Sequence, residues 1–118
     1  MLPFYESCLA CLGIKVFQRQ SELNAIVLGR PGAPIFLWLG EGEESWKAEN
    51  ASIRVHLGFR ADTHEAVRAF HETGLKLGGR DNGPPGFRRP TCYSAFVIDP
   101  EGNNIEAICQ TERPFPGT

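Results

Sequence analysis

Asp99-Pro100-Glu101-Gly102-Asn103-Asn104-Ile105-Glu106 is a turn running into the start of a strand, and everything else in the chain can be ordered around it. Proline presets the backbone angle that the second position of a turn needs, and glycine tolerates the conformation that closes it. The β-favouring runs 93–98 and 104–108 on either side make this the connection of a hairpin. On the second run Ile105, Ala107 and Cys109 alternate with Asn104, Glu106 and Ile108, which directs Glu106 off the apolar face.

Upstream lies a short run around residues 80–82, then a loop of Pro, Gly and Arg over 83–90. Before that, Asp62-Thr63-His64-Glu65 has the spacing of a capping box, and Val67, Phe70, Gly74 and Leu77 form a helical stripe that stops at Gly78-Gly79. Earlier still, over 52–60, Ile53, Val55, Leu57 and Phe59 alternate with Arg54, His56, Gly58 and Arg60, so His56 points to the polar face of a strand. The half reads β-α-β-β-β. In the first half Phe4, Cys8 and Leu12 share one helix face, Gly13 caps it, and strands over 14–20, 24–28 and 35–39 follow, separated by turn chemistry. That is α-β-β-β, the same order without its opening strand, and it predicts an internal structural repeat. The charged stretch 40–50 joins a module of about residues 1–45 to one of about 52–118 within a single domain.

Composition narrows the function classes. A chain of 118 residues with 42% hydrophobic and 22% charged side chains is a folding, soluble-type sequence, not a disordered or fibrous one. Its net charge of -2 leaves no footprint for nucleic acid or an anionic membrane. The longest apolar runs fall far short of the ~20 residues of a membrane span. Met1-Leu2-Pro3 has no signal-peptide character, so a cytoplasmic location is expected. Cys8, Cys11, Cys92 and Cys109 have no zinc-finger spacing with the three histidines and read as reduced thiols, with Cys8-Leu9-Ala10-Cys11 packing within a helix.

The segments Val55-His56-Leu57-Gly58-Phe59, Ala66 to Phe70, Gly78-Gly79-Arg80-Asp81-Asn82-Gly83 and Asp99 to Glu106 resemble the second module of the vicinal oxygen chelate superfamily, which includes glyoxalase I, bleomycin-resistance proteins and extradiol dioxygenases. Phe4-Tyr5 and Leu12-Gly13 extend the likeness over the first half. The resemblance implies an α+β fold in which paired βαβββ modules form a curved mixed sheet with helices on the convex side, the first module lacking its opening strand. It also implies a divalent metal on the concave side, held here by His56 and Glu106, with Glu106 as catalytic residue. Imidazole and carboxylate together suit Zn²⁺, Ni²⁺, Mn²⁺ or Fe²⁺, and a substrate with adjacent oxygens completes the chelate. The first-strand ligand of module one has no counterpart in these residues, and an aromatic, Phe36 or Trp38, stands where glyoxalases carry a carboxylate.

Each candidate also has a structural reading. His56 is a strand residue beside Arg54, and Glu106 is within reach of Arg54 or Arg60 across a sheet. Phe36, Trp38, Arg54, Tyr93 and Arg88 are the candidate substrate-binding residues, the aromatics as a stacking wall and Arg88, with Arg89, as an anion clamp at the mouth of the cleft. His64 and His71 are expected to face solvent. Two functions follow from the resemblance: a metal-dependent lyase, isomerase or dioxygenase-type enzyme, or a metal-free small-molecule binder of the bleomycin-resistance kind. A homodimer is expected, since an incomplete sheet leaves edges that a symmetric partner covers.

Overall fold

Phe4, Cys8 and Leu12 recur at the helical interval, and all three are buried along helix α1, Leu2–Ala10, and the turn that follows it. Gly13, at φ +78°, ends the helix: its N–H donates to Ala10 O and the Ile14 N–H to Leu9 O, a Schellman closure that only a residue at ease in the left-handed region makes cheaply. This computed structural model describes residues 2–33, 35–40 and 56–110, without the side chains of Leu23, Ile35 and Phe36.

After α1 the chain runs through β1 (Lys15–Gln20), a 3-10 turn (Ser21–Leu23), β2 (Ala25–Gly29) and β3 (Ile35–Gly40). These form a three-stranded antiparallel sheet in the order β1-β2-β3. The second half contributes β4 (His56–Arg60), helix α2 (His64–Lys76), β5 (Arg80–Arg89), β6 (Cys92–Ile98) and β7 (Asn104–Gln110). Its sheet has the order β4-β7-β6-β5, with β4 parallel to β7 and the other pairs antiparallel. A helix and a three-strand meander therefore occur twice. The α+β architecture is as expected, and among the described residues the first sheet lacks a counterpart of β4.

Three expectations are corrected. The helix cap is Thr63, one residue later than the box starting at Asp62 implied: its hydroxyl accepts from the Ala66 N–H at 3.0 Å. Leu77, assigned to the buried stripe, is 42% exposed, while Val67, Phe70 and Gly74 are buried. The expected loop 83–90 is mostly strand, β5 continuing to Arg89. Pro84 and Pro85 lack an N–H, which would break a central strand, but β5 is a sheet edge and its pairing with β6 shifts register three times, so bulges absorb both prolines. The predicted strand 52–60 is described from His56 onward, and the linker 41–50 lies outside the described residues.

Helix α2 ends as α1 does, with Gly78 at φ +98° and the Gly79 N–H donating to Gly74 O at 2.8 Å. It lies on the face of the second sheet formed by Leu57, Phe59, Ala95, Val97, Ile105 and Ala107. Leu9, Ile14, Ile26 and Leu28 from the first half join Val67, Phe70, Val97 and Ile105 from the second in one buried cluster, so the two sheets share a core. All four cysteines are free thiols, and Cys8, Cys92 and Cys109 are buried.

Candidate functional site

The tight turn at 99–103 pairs Ile98 with Asn104, and the two-residue alternation of strands then carries Phe96 opposite Glu106 and Ser94 opposite Ile108. Parallel pairing sets Gly58 beside Glu106 and His56 beside Asn104. His56, Gly58, Ser94, Phe96, Glu106 and Ile108 thus share the sheet face opposite α2. This follows from register alone, since the residues between them pack against the helix.

On that face His56 Nε2 lies 3.0 Å from Glu106 Oε1. The carboxylate side chain is 12% exposed and the imidazole 53%, so the pair has a sheltered acidic end and an accessible basic one. Gly58 sits beside the pair, where an added Cβ would meet Glu106 Oε1 at an ordinary contact distance of 3.6 Å. The Phe96 ring flanks His56 at 6.0 Å between centroids, tilted by 45°. The guanidinium of Arg88, an exposed side chain, lies over the Phe96 ring, 5.5 Å from its centroid, and its Nη2 donates to Pro84 O at 2.6 Å. Beyond Gly58 an open cleft of about 520 Å³ runs along the outer edge of β4, past Arg60, Asp62, Ile108 and Gln110. Ser94 Oγ is fully buried on this face and has no hydrogen-bond partner among the described residues.

Of the candidates read from the sequence, the structure brings together His56 and Glu106, while Arg88 contacts the neighbouring Phe96 ring and not the pair itself. Glu106 takes His56 as its partner, and the Arg60 guanidinium reaches Asp62 at 3.8 Å. Arg54 and the Phe36 side chain lie outside the described residues. Trp38 is half exposed on the first sheet, where its indole N–H donates to Gln20 Oε1 at 3.0 Å. Tyr93 lies on the helix side of its sheet, stacked on His64 at 4.0 Å and holding the Arg68 guanidinium at 3.2 Å. His64 is thus packed, and His71 is tied to Asp81 at 2.9 Å with its side chain 12% exposed, so neither simply faces solvent. Phe96 is the residue missed by the sequence reading. Counting back from the turn, which sets Ile98 against Asn104, reaches it directly opposite Glu106.

A crystal structure of a glyoxalase/bleomycin resistance protein from Albidiferax ferrireducens T118 is 30% identical to this chain, covering 91% of it and 84% of the other at a TM-score of 0.60. The chain belongs to the glyoxalase/bleomycin resistance protein family. A glyoxalase/bleomycin resistance protein/dioxygenase family enzyme from Burkholderia phytofirmans PsJN has the same fold at 19% identity, with 93% and 87% coverage and a TM-score of 0.65. A glyoxalase-related enzyme from Fulvimarina pelagi matches at 17% identity, with 97% and 81% coverage and a TM-score of 0.62. No protein-family model and no curated protein matches the sequence.

Glyoxalase-like folds suggest a divalent ion, and the donors can be tested against one. His56 Nε2 and Glu106 Oε1 are hydrogen-bonded to each other at 3.0 Å, and an imidazole nitrogen with a carboxylate oxygen is a donor set that suits such an ion. The pair would supply two of its ligands. No group of three or more ligating side chains gathers among the described residues, so any further ligands come from elsewhere.

Proposed function

We propose that this chain binds a small molecule bearing adjacent oxygens on the face opposite α2 and, with a divalent metal, acts on it as a lyase, isomerase or dioxygenase-type enzyme. The observation that carries the reading is the 3.0 Å approach of His56 Nε2 to Glu106 Oε1 across two parallel strands. His56 and Glu106 are the residues that hold the ion, which when bound supplies Lewis acidity toward developing enolate charge. The chain's own contribution is positional. Glu106, sheltered between Gly58 and Phe96, offers a carboxylate oxygen to a proton or an ion. Phe96 gives a flat wall against which a conjugated substrate lies, and the cleft beside Gly58 admits it.

Metal-free sequestration is the second reading, favoured by the gathering of only two ligating side chains at this place among the described residues. Calorimetric titration of the metal-stripped protein with Ni²⁺, Zn²⁺ and Mn²⁺ separates the two. Tight binding that is lost in both His56→Ala and Glu106→Ala supports the chelate; heats indistinguishable from dilution at millimolar metal sink it in favour of sequestration. A homodimer belongs to the same proposal, because β3 and β4 are sheet edges among the described residues. A monomeric mass in solution scattering would count against it. No helix among the described residues is long and apolar enough to cross a membrane. A cytoplasmic location stands as part of the proposal, to be checked by cell fractionation.

A further inference from the structure

We infer that Gly58 is a specificity-determining residue: having no side chain, it lets a ligand in the cleft set a hydroxyl or N–H donor against the Glu106 carboxylate. The inference rests on the proposed small-molecule site and names the residue that admits its ligand. A glycine inside a strand weakens it, and its usual reasons are a left-handed backbone, a bulge, a neighbour packed too close for a side chain, or a ligand that approaches the backbone. The structure removes the first three. Gly58 does not have a positive φ, and β4 pairs with β7 without a register shift. A Cβ there would meet Ile108 Cδ1 at 3.4 Å and Glu106 Oε1 at 3.6 Å, both ordinary contacts. Gly74 and Gly79 differ, since a Cβ at those positions would come within 3.1 Å and 2.6 Å of Val97 Cγ1.

Gly58 opens instead on the cleft. It stands in the middle of β4 yet is exposed, and it lines the cleft of about 520 Å³ together with Arg60, Ile108 and Gln110. The alternation of β4 and β7 puts these residues on the face that carries His56 and Glu106. The Ala61 N–H donates to Ile108 O, so alternation along β4 turns the N–H and C=O of Gly58 away from β7, toward the open edge of the sheet. With no side chain over them, a ligand can approach this backbone closely. Glu106 Oε1 bonds His56 Nε2, and a carboxylate oxygen has a second lone pair for another donor. A ligand atom standing where a Gly58 Cβ would be touches Ile108 on one side and faces Oε1 on the other. The geometry therefore suits a small molecule with an apolar body and hydroxyl or N–H donors along one edge. A ligand without donors leaves the carboxylate unanswered.

The test uses the full chain stripped of metal in chelator, kept under nitrogen, and titrated with catechol and with ortho-difluorobenzene, which has nearly the same shape and donates nothing. Catechol is expected to bind at least about tenfold more tightly, the usual reward for hydrogen bonds to a charged group. Glu106→Leu should bring that ratio to about one, and catechol should shift the NMR amide signals of Gly58 and Ile108. Gly58→Ala should keep or raise Tm, because alanine suits a strand better than glycine does, while weakening catechol by about tenfold or more. Gly58→Val should abolish saturable binding. Unchanged catechol affinity in Gly58→Ala, a Tm lowered by that substitution, equal affinities for the two probes, or no saturable catechol binding at tens of millimolar would each overturn the inference. A nickel titration of Gly58→Ala keeps this apart from the chelate. Both ligating side chains are intact in that variant, so metal binding succeeds or fails there as it does in the natural chain, whatever the catechol affinity does.

Discussion

Asp99 is 2% exposed and survives as a buried carboxylate because four donors reach it. Its Oδ1 accepts from the Glu101 and Asn103 N–H groups at 2.9 Å each, and its Oδ2 from Asn103 Nδ2 at 3.0 Å and from the Tyr5 hydroxyl. Asp99→Asn replaces an acceptor oxygen by a donor facing donors and is expected to cost about 2–3 kcal/mol in urea unfolding. Burial and the Asp99 hydrogen bond push the Tyr5 phenol well above its ordinary 10.0. The folded state therefore holds the proton harder than the unfolded one, so this contribution to stability is complete below pH 10 and declines above it as unfolded tyrosine ionises. Tyr5→Phe should flatten the alkaline part of a stability profile. Conversely, Ser94→Ala removes a buried hydroxyl without a partner among the described residues and should be neutral or stabilising by up to about 1 kcal/mol. The turn was legible from Pro100 and Gly102, whereas its tie to a tyrosine 94 residues away was not, since no local pattern encodes it.

At the level of elements, α2 and β5 show where local rules succeed and where they stop. Thr63→Ala should cost about 1 kcal/mol by freeing the Ala66 N–H, measurable as a lowered Tm. Gly79→Ala should cost about 1–3 kcal/mol or more, because its Cβ would lie 2.6 Å from Val97 Cγ1 and 2.8 Å from Gly74 O. The His71–Asp81 contact pins α2 to β5. His71, more than the Gly83 N–H, holds the Asp81 carboxyl below its ordinary 3.8, so this pin stabilises above that pH and is lost as acid protonates the carboxylate. A thermal-melt series below pH 4 should show a shallower fall in Asp81→Asn than in the natural chain. Helix α2 was readable because stripe and stop signals agree; β5 was not, because prolines signal a loop unless the strand is known to be an edge. That knowledge requires the sheet order, which also decides that Tyr93 faces the helix and Phe96 the site.

For the whole molecule, the shared core predicts one cooperative transition. Phe70 is fully buried in the cluster that joins both halves, and Phe70→Ala should cost about 3–5 kcal/mol and lower the stability of both sheets together. Trp38 fluorescence in a Trp46→Phe background reports on the first sheet, so urea curves from it and from far-ultraviolet circular dichroism should coincide. The doubled helix-and-meander order was visible in the sequence because glycine stops and strand runs recur. The pairing of His56 with Glu106 rested on a family likeness, since the two are 50 residues apart and on non-consecutive strands. That separation has a kinetic consequence. β4 cannot find β7 until α2, β5 and β6 have been laid down between them, and parallel pairing over such a span closes a large loop before any contact rewards it. During synthesis the chain must emerge as far as residue 106 before the two side chains can meet, so a nascent chain that already carries His56 waits for β5, β6 and β7 before it has a site.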